Sequence, residues 1–200
     1  MRAATTTNDL RKHGTPQISG VPGLAIFVFL SLGFLALVGR LGAAPVATQK
    51  EYEVKAGVLY HIIQYVDWPG ESVSNSPTTI QIGLVGNIPF IEALELLNGK
   101  TNQNRVLVVK RISNPQEAAD CQVLFIGASE TSRLPEILKE VKDRPILTVG
   151  EEEGFAERGG MVNLVPGLNR IVLEINREVA GRARLRFSSQ VLKLARVLPK

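Results

Sequence analysis

The stretch that decides the fold runs from residue 118 to residue 187 and contains three apolar runs: Gln122-Val-Leu-Phe-Ile126, Pro145-Ile-Leu-Thr-Val149 and Arg170-Ile-Val-Leu-Glu-Ile175. Between the first two runs, residues 129–142 show apolar positions at helical spacing, and Ser129 is predicted to cap this helix. A buried strand, a crossover helix and a second buried strand make the βαβ unit of a parallel sheet. The sequence therefore predicts a parallel sheet at the centre of the fold.

The residues before this unit predict further elements of the same sheet. An apolar stripe predicts a helix over 49–68, which the Trp68-Pro69 pair ends because the residue before proline leaves the helical region. Residues 80–85 and 105–112 are predicted strands, the second near the edge of the sheet because basic residues flank it. Asn87 is predicted to cap a helix over 88–97.

The residues after the unit predict a hairpin and terminal helices. Met161–Val165 is expected to pair antiparallel with Arg170–Ile175. Residues 178–186 are a charged helical stretch, and a last helix is expected to begin at Ser188 or Ser189 and reach Leu198. The predicted fold class is α/β: a mainly parallel sheet with helices on both faces, a Rossmann/flavodoxin-like sandwich, plus a C-terminal hairpin and helix.

Charge divides the chain into two parts. Of the formal net charge of +4, residues 1–47 contribute most, with four basic side chains against Asp9. Residues 48–200 carry 19 basic and 18 acidic side chains. This near balance gives no electrostatic basis for binding a nucleic-acid backbone, so no nucleic-acid partner is predicted.

The front part predicts export. Basic residues precede an uncharged apolar run, Leu24–Gly39, which Arg40 and several small residues close. A basic lead, an apolar run and small residues describe a secretory signal. The run is short for a membrane span, which needs about 20 residues. Counting from Val21 gives 19, so an uncleaved membrane anchor is the alternative. We expect residues 1–47 to be the export signal or anchor and residues 48–200 to form the folded domain.

Cys121 is the only cysteine, so no internal disulfide is expected after export. It begins an apolar strand and is expected to be a small buried hydrophobe, with a reactive or intermolecular thiol as the alternative. One cysteine and two histidines, of which His13 lies in the export segment, cannot assemble a metal site. No metal or other cofactor is predicted.

Motifs for catalysis are missing from the sequence. Gly83-Leu-Val-Gly86 lacks the third glycine and the Lys-Ser/Thr pair of a phosphate loop, and no serine lies in a Gly-x-Ser-x-Gly elbow. His61 has no evident carboxylate or nucleophile partner and is expected to be structural. Glu151–Glu153 is expected to be a solvated loop. The residues give no indication of an enzyme.

Aromatic side chains crowd the end of the first predicted helix. Tyr60, Tyr65 and Trp68 lie there beside His61. Such a cluster can form a cradle for a ligand, although at helical spacing it is more often part of a core. The sequence does not separate the two interpretations.

Four segments carry a resemblance to a known family. They are Glu53–Pro69, Cys121–Gly127, Ile146–Phe155 with Gly159–Asn163, and Leu173–Asn176 with Leu185–Val197. In this order they resemble the YfiR family of exported bacterial proteins, and they span nearly all of the predicted domain. The resemblance implies a periplasmic α/β domain without catalysis.

The resemblance also implies a partner. In the best-understood members, the protein binds the periplasmic sensor part of an inner-membrane diguanylate cyclase and holds that enzyme inactive, so that cyclic-di-GMP and biofilm formation stay low. Some relatives carry disulfides, and Cys121 matches one such position, but its partner cysteine is missing from this sequence. Redox control through an internal disulfide is therefore not expected.

A binding role of this kind needs exposed apolar or aromatic surface, because aromatic anchors carry much of the energy of an interface. The apolar stripes of both terminal helices also make a homodimer an expectation. Three places are candidates for binding the partner or a ligand: the helix end with Tyr60, Tyr65 and Trp68, the loop from Glu151 to Phe155, and the segment with Phe187 and Ser188.

Three alternatives stay open at this point. The domain can be a sensor whose aromatic pocket binds a small molecule that changes its affinity for the partner. It can be a hydrolase that uses His61, or a structural protein of the envelope without a regulated partner.

Overall fold

A mainly parallel sheet of eight strands forms the centre of the computed structural model. The structure describes residues 49–70, 78–168 and 170–199, which fall within one compact unit, Ala47–Lys200. The predicted export segment, residues 1–47, lies outside the described residues.

Five α-helices and ten strands make up the described chain. The helices are α1 (Gln49–Gln64), α2 (Ile91–Glu95), α3 (Leu134–Glu140), α4 (Arg177–Arg182) and α5 (Ser189–Leu194). The strands are β1 (Val66–Asp67), β2 (Thr79–Val85), β3 (Thr101–Asn102), β4 (Arg105–Ile112), β5 (Val123–Ile126), β6 (Leu147–Gly150), β7 (Val162–Gly167), β8 (Arg170–Ile175), β9 (Arg186–Phe187) and β10 (Ala195–Val197). Two 3-10 turns, Pro115–Asp120 and Ala128–Glu130, flank β5.

The order of strands in the large sheet is β10-β8-β7-β6-β5-β2-β4-β3. Strands β5 and β6 run parallel on either side of α3 in sequence, which confirms the predicted βαβ unit. Strands β7 and β8 form the predicted antiparallel hairpin. Strand β4 lies near the edge of the sheet, as predicted, since only the two-residue β3 lies beyond it. The predicted α/β fold with a mainly parallel sheet is confirmed.

The core lies on both faces of this sheet. Every residue of β5 is buried, and its side chains alternate between the two faces. Phe125 belongs to the cluster that α1 and α2 cover, whereas Leu124 belongs to the cluster that Ile137 of α3 and the loop residue Phe155 cover. A strand buried on both faces reads as a continuous apolar run, which is why this one was recognisable in the sequence.

Both terminal helices are shorter than predicted. Helix α1 ends at Gln64 rather than Trp68, because the next residues pair as β1 with β9. Helix α5 ends at Leu194, and the following residues form β10, which runs parallel to β8. Arg196 of β10 also pairs with the buried Glu174 of β8 at 3.0 Å. In both cases pairing with a distant strand outweighs the local helical pattern.

Two predicted helix caps are wrong. Asn87 does not cap α2, since Pro89 keeps Ile88 out of the helical region and α2 begins only at Ile91. Ser129 does not cap α3, because it lies in a 3-10 turn, where its hydroxyl accepts a hydrogen bond of 2.8 Å from the Asn87 amide. The predicted start of the last helix at Ser188 is confirmed, since its side chain caps α5, and the side chain of Asn176 caps α4.

The ring of Phe155 fills the space beside two glycines, which yields a test of the packing. A Cβ at Gly160 would lie 2.1 Å from the Phe155 ring. We expect Gly160→Ala to lower the free energy of unfolding by about 1–3 kcal/mol through overpacking. The matched change Gly57→Ala, in α1 with nothing within 4 Å of the new methyl group, should raise it by about 0.5–1 kcal/mol. Urea denaturation measures the free energy of unfolding of both variants. Equal changes in Gly160→Ala and Gly57→Ala would contradict the close packing of Phe155 against Gly160.

Candidate functional site

Opposite ends of the described chain meet at a corner beside the main sheet. Val66 of β1 pairs with Phe187 of β9, and the amide of Ser188 donates a hydrogen bond of 2.9 Å to the carbonyl of Tyr65. Trp68 follows β1 directly. The structure thus brings together Tyr65, Trp68, Phe187 and Ser188, four of the residues predicted to bind a partner, and we call this group the β1–β9 corner.

The β1–β9 corner presents partly exposed aromatic side chains whose backbone is held in place by the strand pairing. Tyr65 is 39 % exposed, while Trp68 and Phe187 are half-buried and pack against the core on the α1 face. The Ser188 hydroxyl accepts a hydrogen bond from the amide of Val191 and so fixes the start of α5. Aromatic rings held in this way lose little freedom on binding, which suits them as anchors of an interface.

A cleft of about 390 Å³ opens at the corner. Asp67, Trp68, Arg184 and Arg186 line it together with neighbouring residues of the same segments. The Trp68 Nε1 atom is buried and has no hydrogen-bond partner among the described residues. A buried donor without an acceptor is costly, so a bound group that accepts this hydrogen bond would be favoured.

Tyr60 lies apart from the corner. Its hydroxyl donates a hydrogen bond of 2.9 Å to the carbonyl of Thr101 in β3, so it ties α1 to the edge of the sheet. His61 is exposed, and its ring lies edge-on to that of Tyr60, with 5.9 Å between the centroids. The His61 side chain makes no hydrogen bond or ion pair within the described ranges 49–70, 78–168 and 170–199, and this gives a hydrolase reaction no support.

The predicted loop from Glu151 to Phe155 does not supply binding surface at either end. Only 9 % of the Glu151 side chain is exposed, because it pairs with Lys55, so the expected solvated loop is wrong for this residue. Phe155 is 1 % exposed and lies in the core on the α3 face. Both ends of the loop are therefore part of the packing, while Glu153 between them is exposed.

The buried cation Lys55 was missed by the sequence reasoning. Its Nζ lies 2.9 Å from Glu151 and 3.1 Å from Glu51, and 5.4 Å from the centroid of the Phe90 ring. Burial alone would lower the pKa of Lys55, but the hydrogen bonds and charges of the two carboxylates outweigh it and raise the pKa above its usual value. A signal was present, since Lys55 lies on the apolar stripe of α1.

The crevice where α/β sheets often bind ligands is filled. Strand order reverses between β2 and β5, and such a switch point commonly holds a ligand outside the carboxyl ends of the strands. Here the Asn87 amide already donates a hydrogen bond to the Ser129 hydroxyl. Space is also short, since a Cβ at Gly86 would lie 2.6 Å from Ser129 Oγ and from Glu130 Cγ. The chain's own side chains occupy the space that a bound anion would need.

Cys121 is buried on the α3 face of the sheet, as a small hydrophobe would be. Burial raises the pKa of its thiol to about 11. Since the thiolate is the reactive form, this position does not suit a redox sensor.

Two features are missing from the described ranges, 49–70, 78–168 and 170–199. Within them, no three side chains of the His, Cys, Asp and Glu types are arranged to hold a metal ion. No helix in these ranges combines the length and apolar character that crossing a membrane requires.

The sequence profile described as YfiR/HmsC-like matches residues 52–196, which include every residue of the β1–β9 corner. The chain belongs to the YfiR/HmsC-like family. Members of this family are periplasmic, non-catalytic regulators of cyclic-di-GMP signalling.

A solved structure from Vibrio cholerae supports the α/β fold. A crystal structure of a conserved domain protein from Vibrio cholerae O1 biovar El Tor matches with a TM-score of 0.54 and 16% identity, over 73% of this chain and 59% of that chain. The present chain thus spans less than two thirds of that relative. The ABC domain from Streptococcus pneumonia in complex with L-Trp matches at a TM-score of 0.45 and 12% identity, over 64% of this chain and 58% of that one.

The buried pair of Lys55 and Glu151 gives a prediction on stability. Lys55→Met leaves the Glu151 carboxylate buried without its cation, which should lower the free energy of unfolding by about 3–5 kcal/mol. Adding Glu151→Gln should recover part of this loss, because no uncompensated charge then remains at that position. Lys50→Met, at an exposed position of α1, is the control and should change stability by less than about 0.5 kcal/mol. If Lys55→Met and Lys50→Met change the free energy of unfolding equally in urea denaturation, the pair of Lys55 and Glu151 does not stabilise the fold strongly.

The burial of Cys121 gives a prediction on reactivity. At pH 7–8 the native protein should react with Ellman's reagent only as fast as it unfolds, since its thiol is buried and protonated. The same protein in guanidinium chloride should react at once and completely. Rapid stoichiometric reaction of the native protein would show that the thiol is accessible.

Proposed function

We propose that this chain binds the periplasmic sensor part of an inner-membrane diguanylate cyclase and represses the enzyme, with the β1–β9 corner as the contact surface. Repression lowers cyclic-di-GMP and with it biofilm formation. The observation that carries the proposal is that predicted binding residues from opposite ends of the chain converge at this corner, within the region that the YfiR/HmsC-like family covers.

The chemistry of the corner supports protein binding. Tyr65, Trp68 and Phe187 present partly exposed rings, and aromatic side chains are enriched among residues that dominate interface energies. Backbone pairing of β1 with β9 holds the rings at a fixed spacing. No reaction is needed for such a role, since occupancy of the sensor part is enough to change its conformational equilibrium.

The first test measures intracellular cyclic-di-GMP in cells with and without the gene. Deletion should raise cyclic-di-GMP, and an exported wild-type copy should restore the low level. A copy without residues 1–47 should fail to restore it, because the partner surface is proposed to lie across the inner membrane. No change on deletion under several growth conditions would refute repression of a cyclase.

The second test places the contact. Tyr65→Ala should weaken binding to the purified sensor domain by roughly thirtyfold, the equivalent of about 2 kcal/mol, and should fail to restore the low cyclic-di-GMP level. Leu96→Ala is the matched control, since Leu96 is 71 % exposed and lies outside the corner. Equal binding by both variants would exclude the corner as the contact.

A second candidate function is a small-molecule sensor that acts on a membrane signalling protein. The 390 Å³ cleft and the unpartnered Trp68 Nε1 favour it. Such a ligand should raise the melting temperature of the purified domain in a saturable way. Trp68→Phe, which removes the donor and keeps an aromatic ring, should abolish most of this rise, and an undiminished rise would place the ligand elsewhere.

A further inference from the structure

A second cleft, of about 320 Å³, lies between α3 and α4 and has a cationic rim. Lys139 and Lys142 border it from the α3 side, Arg158 from the loop before β7, and Arg182 from α4. Asp143 is the one carboxylate among its lining residues. Because residues 48–200 are nearly neutral in total, this excess of positive charge is a local feature.

Two of the four cations are not neutralised by the protein. Arg158 lies 2.8 Å from Glu152, and Arg182 pairs with Glu178. Lys139 and Lys142 are exposed, and their side-chain ammonium groups make no ion pair or hydrogen bond with residues 49–70, 78–168 or 170–199. Their charges are therefore free to interact with a bound anion.

The floor of the cleft is apolar. Val141 and Met161 are buried there, and Leu138 and Val179 are half-buried. The polar group within the floor, the hydroxyl of Thr148, accepts a hydrogen bond of 3.0 Å from the amide of Met161. The cleft thus combines an apolar base with positive charge at its mouth.

We propose that this α3–α4 cleft binds a small amphipathic anion, a molecule with an apolar body and one carboxylate, sulfonate or phosphate group. The apolar body covers the floor, and the anionic group lies between Lys139 and Lys142. The volume is at the lower end of the range of small-molecule sites. This site is distinct from the β1–β9 corner, and the proposal does not depend on the cyclase as partner.

The test uses the purified unit Ala47–Lys200, which carries the whole sheet and both faces of the core. The probe is 8-anilinonaphthalene-1-sulfonate, titrated by fluorescence at low ionic strength. Its neutral analogue N-phenyl-1-naphthylamine has the same rings without the sulfonate. The sulfonate should bind saturably with one molecule per chain and more tightly than the analogue, and added salt should weaken it.

Charge reversal locates the site. Lys139→Glu with Lys142→Glu should weaken binding of the sulfonate at least tenfold and leave the weak binding of the neutral analogue unchanged. Lys100→Glu with Lys193→Glu is the matched control, since it makes the same change in net charge at exposed positions outside the lining. The control should alter sulfonate binding by less than twofold, and circular dichroism verifies that both variants fold.

Three results would overturn the proposal. An equal loss in both double variants would show a general charge effect, and no loss in the first would place the probe elsewhere. Absence of saturable sulfonate binding, combined with binding of an acidic peptide that depends on Lys139 and Lys142, would assign the cleft to a macromolecular partner instead.

Discussion

The ion pair between Lys55 and Glu151 constrains the whole arrangement on one face of the sheet. Lys55 projects from the buried side of α1, and Glu151 directly follows β6, so the pair joins the first helix to a central strand. A buried ammonium without its carboxylate is strongly unfavourable, which restricts how far α1 can slide or rotate on the sheet. The end of α1, and with it Tyr65 and Trp68, is therefore held in one place relative to β9.

The sequence predicted those elements whose signals are local or continuous. The buried strands β5 and β6, the crossover helix between them and the β7–β8 hairpin all have apolar runs or turn residues of their own. The sequence did not predict β1, β9 or β10, because these short strands exist only through pairing with residues far away in the chain. No local pattern distinguishes such a segment from the frayed end of a helix.

The sequence allowed most residues of the candidate site to be predicted, but it did not show how they are arranged in space. The aromatic content of the α1 end and of residue 187 identified Tyr65, Trp68 and Phe187, yet nothing in the sequence showed that they meet. The same reasoning grouped Phe155 with them, although it is a core residue packed against two glycines. Exposure depends on which surfaces the other elements cover, and a one-dimensional pattern of aromatic residues does not contain that information.

Helix α4 separates two clefts of different character. Val179 and Arg182 line the cationic cleft, whereas Gly181 and the residues that lead into β9 line the cleft at the corner. The helix has only six residues and leaves through Arg184, which adopts a left-handed backbone conformation with φ of 61°. Residues of this one short helix therefore line both clefts.

The corner joins an early and a late part of the chain, and this has a consequence for biosynthesis. Residues 65–68 emerge from the ribosome long before residues 186–188, so β1 stays without its partner strand until nearly the entire domain has been made. Nascent or truncated chains therefore lack the surface proposed to recognise the cyclase. A chain must therefore extend at least to β9 before both halves of the proposed contact surface can form.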